Sequence, residues 1–125
     1  MATIKSYSDL QQSRKLAEIL PLESADLYYE WPNKKVHFKD DKYSGVGFSC
    51  WSLTALSEFI LPSVVDDDGN NYKFYLSKDG LDRWIAYYKS DDVSIYICEE
   101  SHNIIDVIFE MVCWLKTEKY TEKYI

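Results

Sequence analysis

The chain has 125 residues, 46% of them hydrophobic and 16% aromatic, and carries a formal net charge of −7 with a pI near 4.7. This length is close to the commonest domain size and is enough to bury a core without disulfides or metal, so we expect one domain over residues 1–125. The composition excludes a mainly disordered chain. The acidic balance argues against nucleic-acid binding, because such a surface repels phosphates.

Three cysteines, Cys50, Cys98 and Cys113, have no paired spacing. Their odd number, together with a start that lacks the apolar region of a secretory signal, predicts a reduced, cytoplasmic protein. No apolar run approaches the length needed to cross a bilayer, so we expect no membrane association. The sequence contains no cofactor motif and no complete ligand set for zinc or calcium, and we expect neither a cofactor nor a metal.

The N-terminal half contains two predicted helices and a predicted hairpin. Ser8–Gln11 has the pattern of a capping box, which predicts a first helix. Leu27–Trp31 and Lys35–Lys39 are predicted strands on either side of a short turn. Ser49 is a suitable N-cap, and the apolar pattern after it predicts a second helix over Cys50–Leu61.

The C-terminal half is predicted to be a meander followed by a helix. Tyr72–Leu76, Arg83–Lys89 and Val93–Cys98 are candidate strands, and their short acidic connections indicate antiparallel pairing. Ser101 is a good N-cap, and residues 104–115 are apolar around most of a helical circumference, which is typical of a helix covered on more than one side. We therefore expect an α+β domain in which an antiparallel sheet, the N-terminal hairpin plus the three-stranded meander, packs against three helices with the long C-terminal helix at the centre.

Cys50 supports a chemical hypothesis. At the predicted start of a helix a thiol is shifted toward its nucleophilic thiolate form. The pair Cys50-Trp51 is similar to the Cys-Trp pair on the nucleophile helix of papain-like proteases, although the Gln and Gly of that motif are missing. A cysteine nucleophile needs a base within hydrogen-bond reach, and His102 is the candidate. The other interpretation is that Cys50 is a small core residue.

The aromatic residues favour binding over catalysis. Eleven tyrosines and four tryptophans cluster in the predicted strands. Neighbouring residues of a strand point to opposite faces, so some of these rings must lie on the outer face of the sheet. Exposed aromatic side chains are enriched at protein interfaces, and we expect such a surface here for an unidentified protein partner. Its candidate residues are Tyr28, Tyr29, Trp31, Tyr75 and Tyr87.

A resemblance to a known family is carried by two segments, YSDLQQSRKLAEILPLESADLYY (residues 7–29) and CWSLTAL (residues 50–56). They resemble a family of small proteins without assigned function that occur in gut anaerobic bacteria and in their phages and mobile elements. Beyond Pro62 only the layout of strands before a final helix is similar. The resemblance implies a bacterial, phage-related accessory protein and supplies no functional residues. The sequence thus predicts a small acidic protein-binding module, with a Cys50–His102 hydrolase as the alternative.

Overall fold

The protein has an α+β fold, as the sequence predicts. The computed structural model describes residues 6–30, 35–38, 47–91, 93–97 and 100–118. The helices of these segments are α1 (Leu10–Ile19), α2 (Leu53–Ser57) and α3 (Ile104–Thr117), and a 3-10 turn spans Leu22–Ser24. The strands are β1 (Leu27–Glu30), β2 (Val36–Phe38), β3 (Gly47–Cys50), β4 (Ser63–Val65), β5 (Asn71–Lys78), β6 (Trp84–Ser90) and β7 (Val93–Ile97).

The strands form two antiparallel sheets. The first has the order β2-β1-β3, with Leu27 opposite Phe38 on one side and Cys50 on the other. The second has the order β4-β5-β6-β7 and contains the predicted meander. Sequence analysis missed β3 and β4, which add a strand to the predicted hairpin and to the meander.

Helix α3 fills the centre of the core. It buries Ile105, Val107, Ile108, Met111, Val112 and Leu115. Its inner side packs on β6, where the ring of Tyr88 lies 5.6 Å from that of Trp114, between centroids. The core cluster also includes Leu16 of α1, Trp51 and Leu56, so a single core joins both halves of the chain. Asp106 and Glu110 belong to the narrow polar stripe of this helix and are only partly buried.

The predicted helix over Cys50–Leu61 is wrong at both ends, since α2 spans only Leu53–Ser57. Cys50 is the last residue of β3, and the helix begins only at Leu53 after an N-cap at Ser52. The Ser52 hydroxyl accepts a hydrogen bond from the Ala55 N–H at 3.1 Å, which is the bond expected of an N-cap. Pairing of residues 47–50 with β1 satisfies the backbone groups that the predicted helix would have used.

A buried serine pair connects α1 to the chain that follows β3. Ser8 and Ser13 are 0% and 2% exposed, and their hydroxyl oxygens lie 2.8 Å apart. The Ser8 hydroxyl also accepts a hydrogen bond from the Trp51 N–H at 3.0 Å. Because Ser8 is used in this way, the capping box of α1 is formed one residue later, by Asp9 and Gln12.

Candidate binding surface

The structure does not bring the predicted nucleophile and base together. Cys50 is fully buried in β3 and not at a helix start. His102 is exposed, and its Nδ1 lies 3.1 Å from the carbonyl oxygen of Asp82. Within the described residues no hydrogen bond joins the imidazole to Cys50. The feature that suggested an activated thiol, a helix N-terminus at Cys50, is therefore absent.

Cys113 gives no alternative nucleophile. Cys113 is half-buried on α3, and burial raises the pKa of its thiol to about 11, so little thiolate exists near neutral pH. Cys98 lies outside the described residues. In the described part of the chain, no group of three or more His, Cys, Asp or Glu residues is placed to hold a metal ion.

Four of the five predicted surface aromatics are divided between the two sheets. Tyr28 and Tyr29 belong to β1, Tyr75 to β5 and Tyr87 to β6. Trp31 lies outside the described residues. The expected single aromatic surface is thus replaced by two separate groups of rings.

The rings of β1 are engaged by other groups of the chain. Tyr28 stacks on His37 with ring centroids 5.2 Å apart, and the Nε2 of His37 lies 2.6 Å from a carboxylate oxygen of Glu30. Tyr29 makes an edge contact with Tyr7 at 6.2 Å between centroids. Partial burial, with a further contribution from Tyr7, raises the pKa of Tyr29 above its ordinary value. These contacts stabilise the three-stranded sheet.

Tyr75 and Tyr87 form a stacked pair on the opposite side of the four-stranded sheet from α3. They are directly opposite each other in the register of β5 and β6. Their ring centroids are 5.4 Å apart with planes 17° from parallel, and Tyr75 is 43% exposed. The next residue of β6, Tyr88, is fully buried on the inner face, as alternation along a strand requires.

Two lysines lie next to the stacked tyrosines on the same face. Lys73 is opposite Lys89, two residues along the strands from Tyr75 and Tyr87 and therefore on the same face. Within the described residues, neither ammonium group makes an ion pair or hydrogen bond. Like charges directly opposite on a sheet repel each other and destabilise the pairing.

We call this surface the tyrosine–lysine face, and its residues are Lys73, Tyr75, Ser77, Ile85, Tyr87 and Lys89. Tyr75 and Tyr87 use no hydroxyl hydrogen bond to the described protein, so both phenols can donate to a partner. The face combines a rigid apolar surface, two hydroxyl donors and two positive charges that have no counterion among the described residues. It is a local positive feature on a chain of net charge −7.

Three acidic groups in the turns of this sheet have partners other than the two lysines. In the β4–β5 turn, hydrogen bonds led by that from the Asn70 N–H lower the pKa of Asp66. At the far end of the sheet, the Arg83 guanidinium lies 3.1 Å from Asp79 and 2.7 Å from Glu100. The carboxylates of these turns therefore have partners of their own.

Sequence analysis found the two tyrosines and missed the two lysines. Lys73 and Lys89 stand two residues from Tyr75 and Tyr87, so alternation places each lysine on the face of its own tyrosine. That signal was available. The opposition of the two lysines also requires the register of β5 and β6, which the sequence leaves open.

Comparison of this chain with protein-family models, with curated proteins and with solved structures finds no match. Among the described helices, none is both long and apolar enough to cross a membrane.

Proposed function

We propose that this protein is a protein-binding module whose tyrosine–lysine face takes a partner segment that carries acidic and apolar side chains. The observation that carries the proposal is the stacked pair Tyr75–Tyr87 beside two opposed lysines that form no ion pair with the described residues. Tyrosine is enriched among the residues that dominate binding energy, because it buries a large area at small entropic cost. Strands β5 and β6 hold these two rings on a rigid backbone.

The charges support an acidic partner. Two ammonium groups on neighbouring strands repel each other, and a carboxylate lying between them would relieve that repulsion. Complementary charge of this kind steers association and selects the partner more than it adds raw affinity. The apolar part of the partner segment would pack on Tyr75, Tyr87 and Ile85.

Aromatic rings and lysines on a sheet are also found in proteins that bind single-stranded nucleic acid. Two observations favour protein instead. Tyr75 and Tyr87 each use one ring face on the other, which removes surface on which a base would stack. The net charge of −7 opposes the approach of a phosphate backbone.

The partner's biological setting is proposed from the resemblance alone. A small acidic binding module of a phage or mobile element would act as an accessory protein, by engaging another protein of the element or of its host. This setting is separate from the binding chemistry, which rests on the tyrosine–lysine face.

Selection of random 12-residue peptides on the immobilised protein tests the proposal. We expect convergent peptides that combine Asp or Glu with Phe, Tyr, Trp or Leu. Tyr87→Ala and Lys89→Ala should each weaken the binding of a selected peptide about tenfold, the loss typical of an interface hot spot.

Tyr28→Ala, on the other sheet, is the matched control and should leave peptide binding unchanged. The proposal fails if the selected peptides are basic, if no sequence converges, or if Tyr28→Ala has the larger effect. Saturable binding of a 20-residue oligothymidine that Tyr87→Ala abolishes would replace the protein partner with nucleic acid.

A further inference from the structure

A cavity in the N-terminal half of the chain differs in chemistry from the tyrosine–lysine face. It has a volume of about 590 Å³ and opens between β1 and the start of α2. This volume is in the range of sites for small organic ligands. It is lined by Asp26, Leu27, Phe38, Ser52, Leu53 and Thr54, among others. We call it the Asp26 pocket.

The walls of the Asp26 pocket are mainly apolar. Leu27 and Leu53 contribute aliphatic surface from β1 and α2. Phe38 is 79% exposed, the largest exposed fraction among the large hydrophobic side chains of the described residues. An aromatic ring this open, at the rim of a cavity, offers both of its faces to a ligand. The pocket therefore favours a ligand with an apolar body.

The charged group of the pocket is the Asp26 carboxylate. Its two oxygens accept hydrogen bonds from the Ser52 N–H at 2.9 Å and the Ser52 hydroxyl at 2.5 Å. These bonds fix the orientation of the carboxylate. No Lys, Arg or His of the described segments forms an ion pair with it. An ionised carboxylate has about four acceptor sites, so about two remain for a ligand.

Capping of α2 does not require this charge. The Ser52 hydroxyl already accepts the Ala55 N–H, and the Leu53 N–H donates to the Ser6 carbonyl oxygen at 3.0 Å. The Asp26 carboxylate accepts its two bonds from Ser52 through separate oxygens, and each oxygen keeps a further acceptor site. These remaining sites lie at the edge of an apolar pocket.

We propose that the Asp26 pocket binds an organic cation, an ammonium or guanidinium group on an apolar body. The cation would donate to the free acceptor sites of Asp26, and the apolar body would pack against Leu27, Leu53 and Phe38. Bonds between an ionised donor and an ionised acceptor are about twice as strong as neutral ones. The Phe38 ring adds a cation–π contact at the rim.

NMR titration of the ¹⁵N-labelled full chain tests this proposal with two cationic probes. Phenethylammonium represents a free amine, and N-acetylarginine methylamide represents the arginine side chain of a peptide. We expect saturable shifts of the Ser52 and Leu53 amide signals with at least one of them. 2-Phenylethanol, which has the shape of the first probe without its charge, should bind about tenfold more weakly.

Asp26→Asn should lower the affinity for the cation about tenfold, while Asp68→Asn, on an exposed turn, should not change it. Phe38→Ala removes an exposed side chain and is expected to fold normally, so it keeps the test valid if Asp26→Asn fails to fold. It should weaken binding several-fold.

Equal binding of phenethylammonium and 2-phenylethanol, unchanged affinity in Asp26→Asn and Phe38→Ala, or no shift with either cation would each overturn the proposal. The Asp26 pocket shares no residue with the tyrosine–lysine face. Failure of the cation-binding proposal would therefore leave the peptide-binding proposal unaffected.

Discussion

At the scale of single residues, Tyr87 and Tyr88 are neighbours with opposite environments. The hydroxyl of Tyr88 donates to the Leu61 carbonyl oxygen at 2.6 Å, and burial raises the pKa of this phenol well above its ordinary value. Tyr88 is therefore part of the core. Tyr87 lies on the opposite face, stacked on Tyr75. A one-residue step along a strand thus separates a structural tyrosine from a candidate binding residue.

Cysteine labelling tests the hydrolase alternative at the same scale. Cys50 is fully buried, so iodoacetamide should modify it only when the domain unfolds, and at high reagent concentration the labelling rate should level off at the unfolding rate. The thiol of Cys113 has a pKa raised to about 11, so its labelling should keep rising about tenfold per pH unit from pH 7 to 10. Peptide-resolved mass spectrometry measures both rates.

An ordinary thiol would instead approach a plateau near pH 9, because it is then mostly thiolate. A concentration-dependent, rapid reaction of Cys50 in the native protein, slowed by His102→Ala, would support the hydrolase and contradict the proposed binding module.

At the scale of secondary-structure elements, local sequence patterns predicted α3 but did not predict a strand that depends on pairing with another strand. Helix α3 follows from apolar periodicity within one segment, and the structure confirms it. Strand β3 has only four residues and exists because β1 pairs with it, so its sequence alone reads as a loop leading into a helix. Pairing with β1 determines this strand, and it places Cys50 in a strand and not at the predicted helix start.

The tyrosine–lysine face shows the same contrast between what local sequence patterns predict and what strand pairing determines. Alternation identified Tyr75 and Tyr87 as outward residues of separate strands. Their stacking depends on the connection of residues 79–83, whose length fixes the register, and the sequence does not show where each strand ends. Asp79 organises this turn by accepting bonds from the Leu81 and Arg83 N–H groups at 2.9 and 3.0 Å.

The opposed lysines predict a gain in stability when one of them is reversed. Lys73→Glu places opposite charges on β5 and β6, and it should raise the free energy of unfolding by about 0.2–1 kcal/mol. The same change should weaken the binding of an acidic peptide, because it removes one positive charge and adds a negative one. Urea unfolding and peptide titration measure the two effects.

Lys35→Glu is the control, since Lys35 is also exposed but precedes β2 of the other sheet. It gives the same change in net charge without altering the tyrosine–lysine face. Tighter peptide binding by Lys73→Glu than by Lys35→Glu would show that the lysine pair does not contribute to binding an acidic partner.

At the scale of the whole molecule, one core connects elements far apart in sequence. Leu16, Trp51 and Val64 belong to the same buried cluster as Tyr88 and the inner residues of α3. The Gln12 side chain of α1 also donates to Asp106 of α3 at 2.8 Å. Since both halves of the chain share this core, we expect them to unfold together, as small single domains usually do.

Ile108→Asp tests that expectation. Ile108 is 3% exposed, and an aspartate there buries a charge without a partner, which should cost more than about 3 kcal/mol of unfolding free energy. Gln11→Asp adds the same side chain at an exposed position in the first turn of α1, where a carboxylate is tolerated, and should change stability by less than about 0.5 kcal/mol. Urea unfolding followed by circular dichroism and by tryptophan fluorescence should show coincident midpoints that shift together in Ile108→Asp. Separate transitions, or a midpoint shifted no more than in Gln11→Asp, would mean that α3 is not the centre of a single cooperative core.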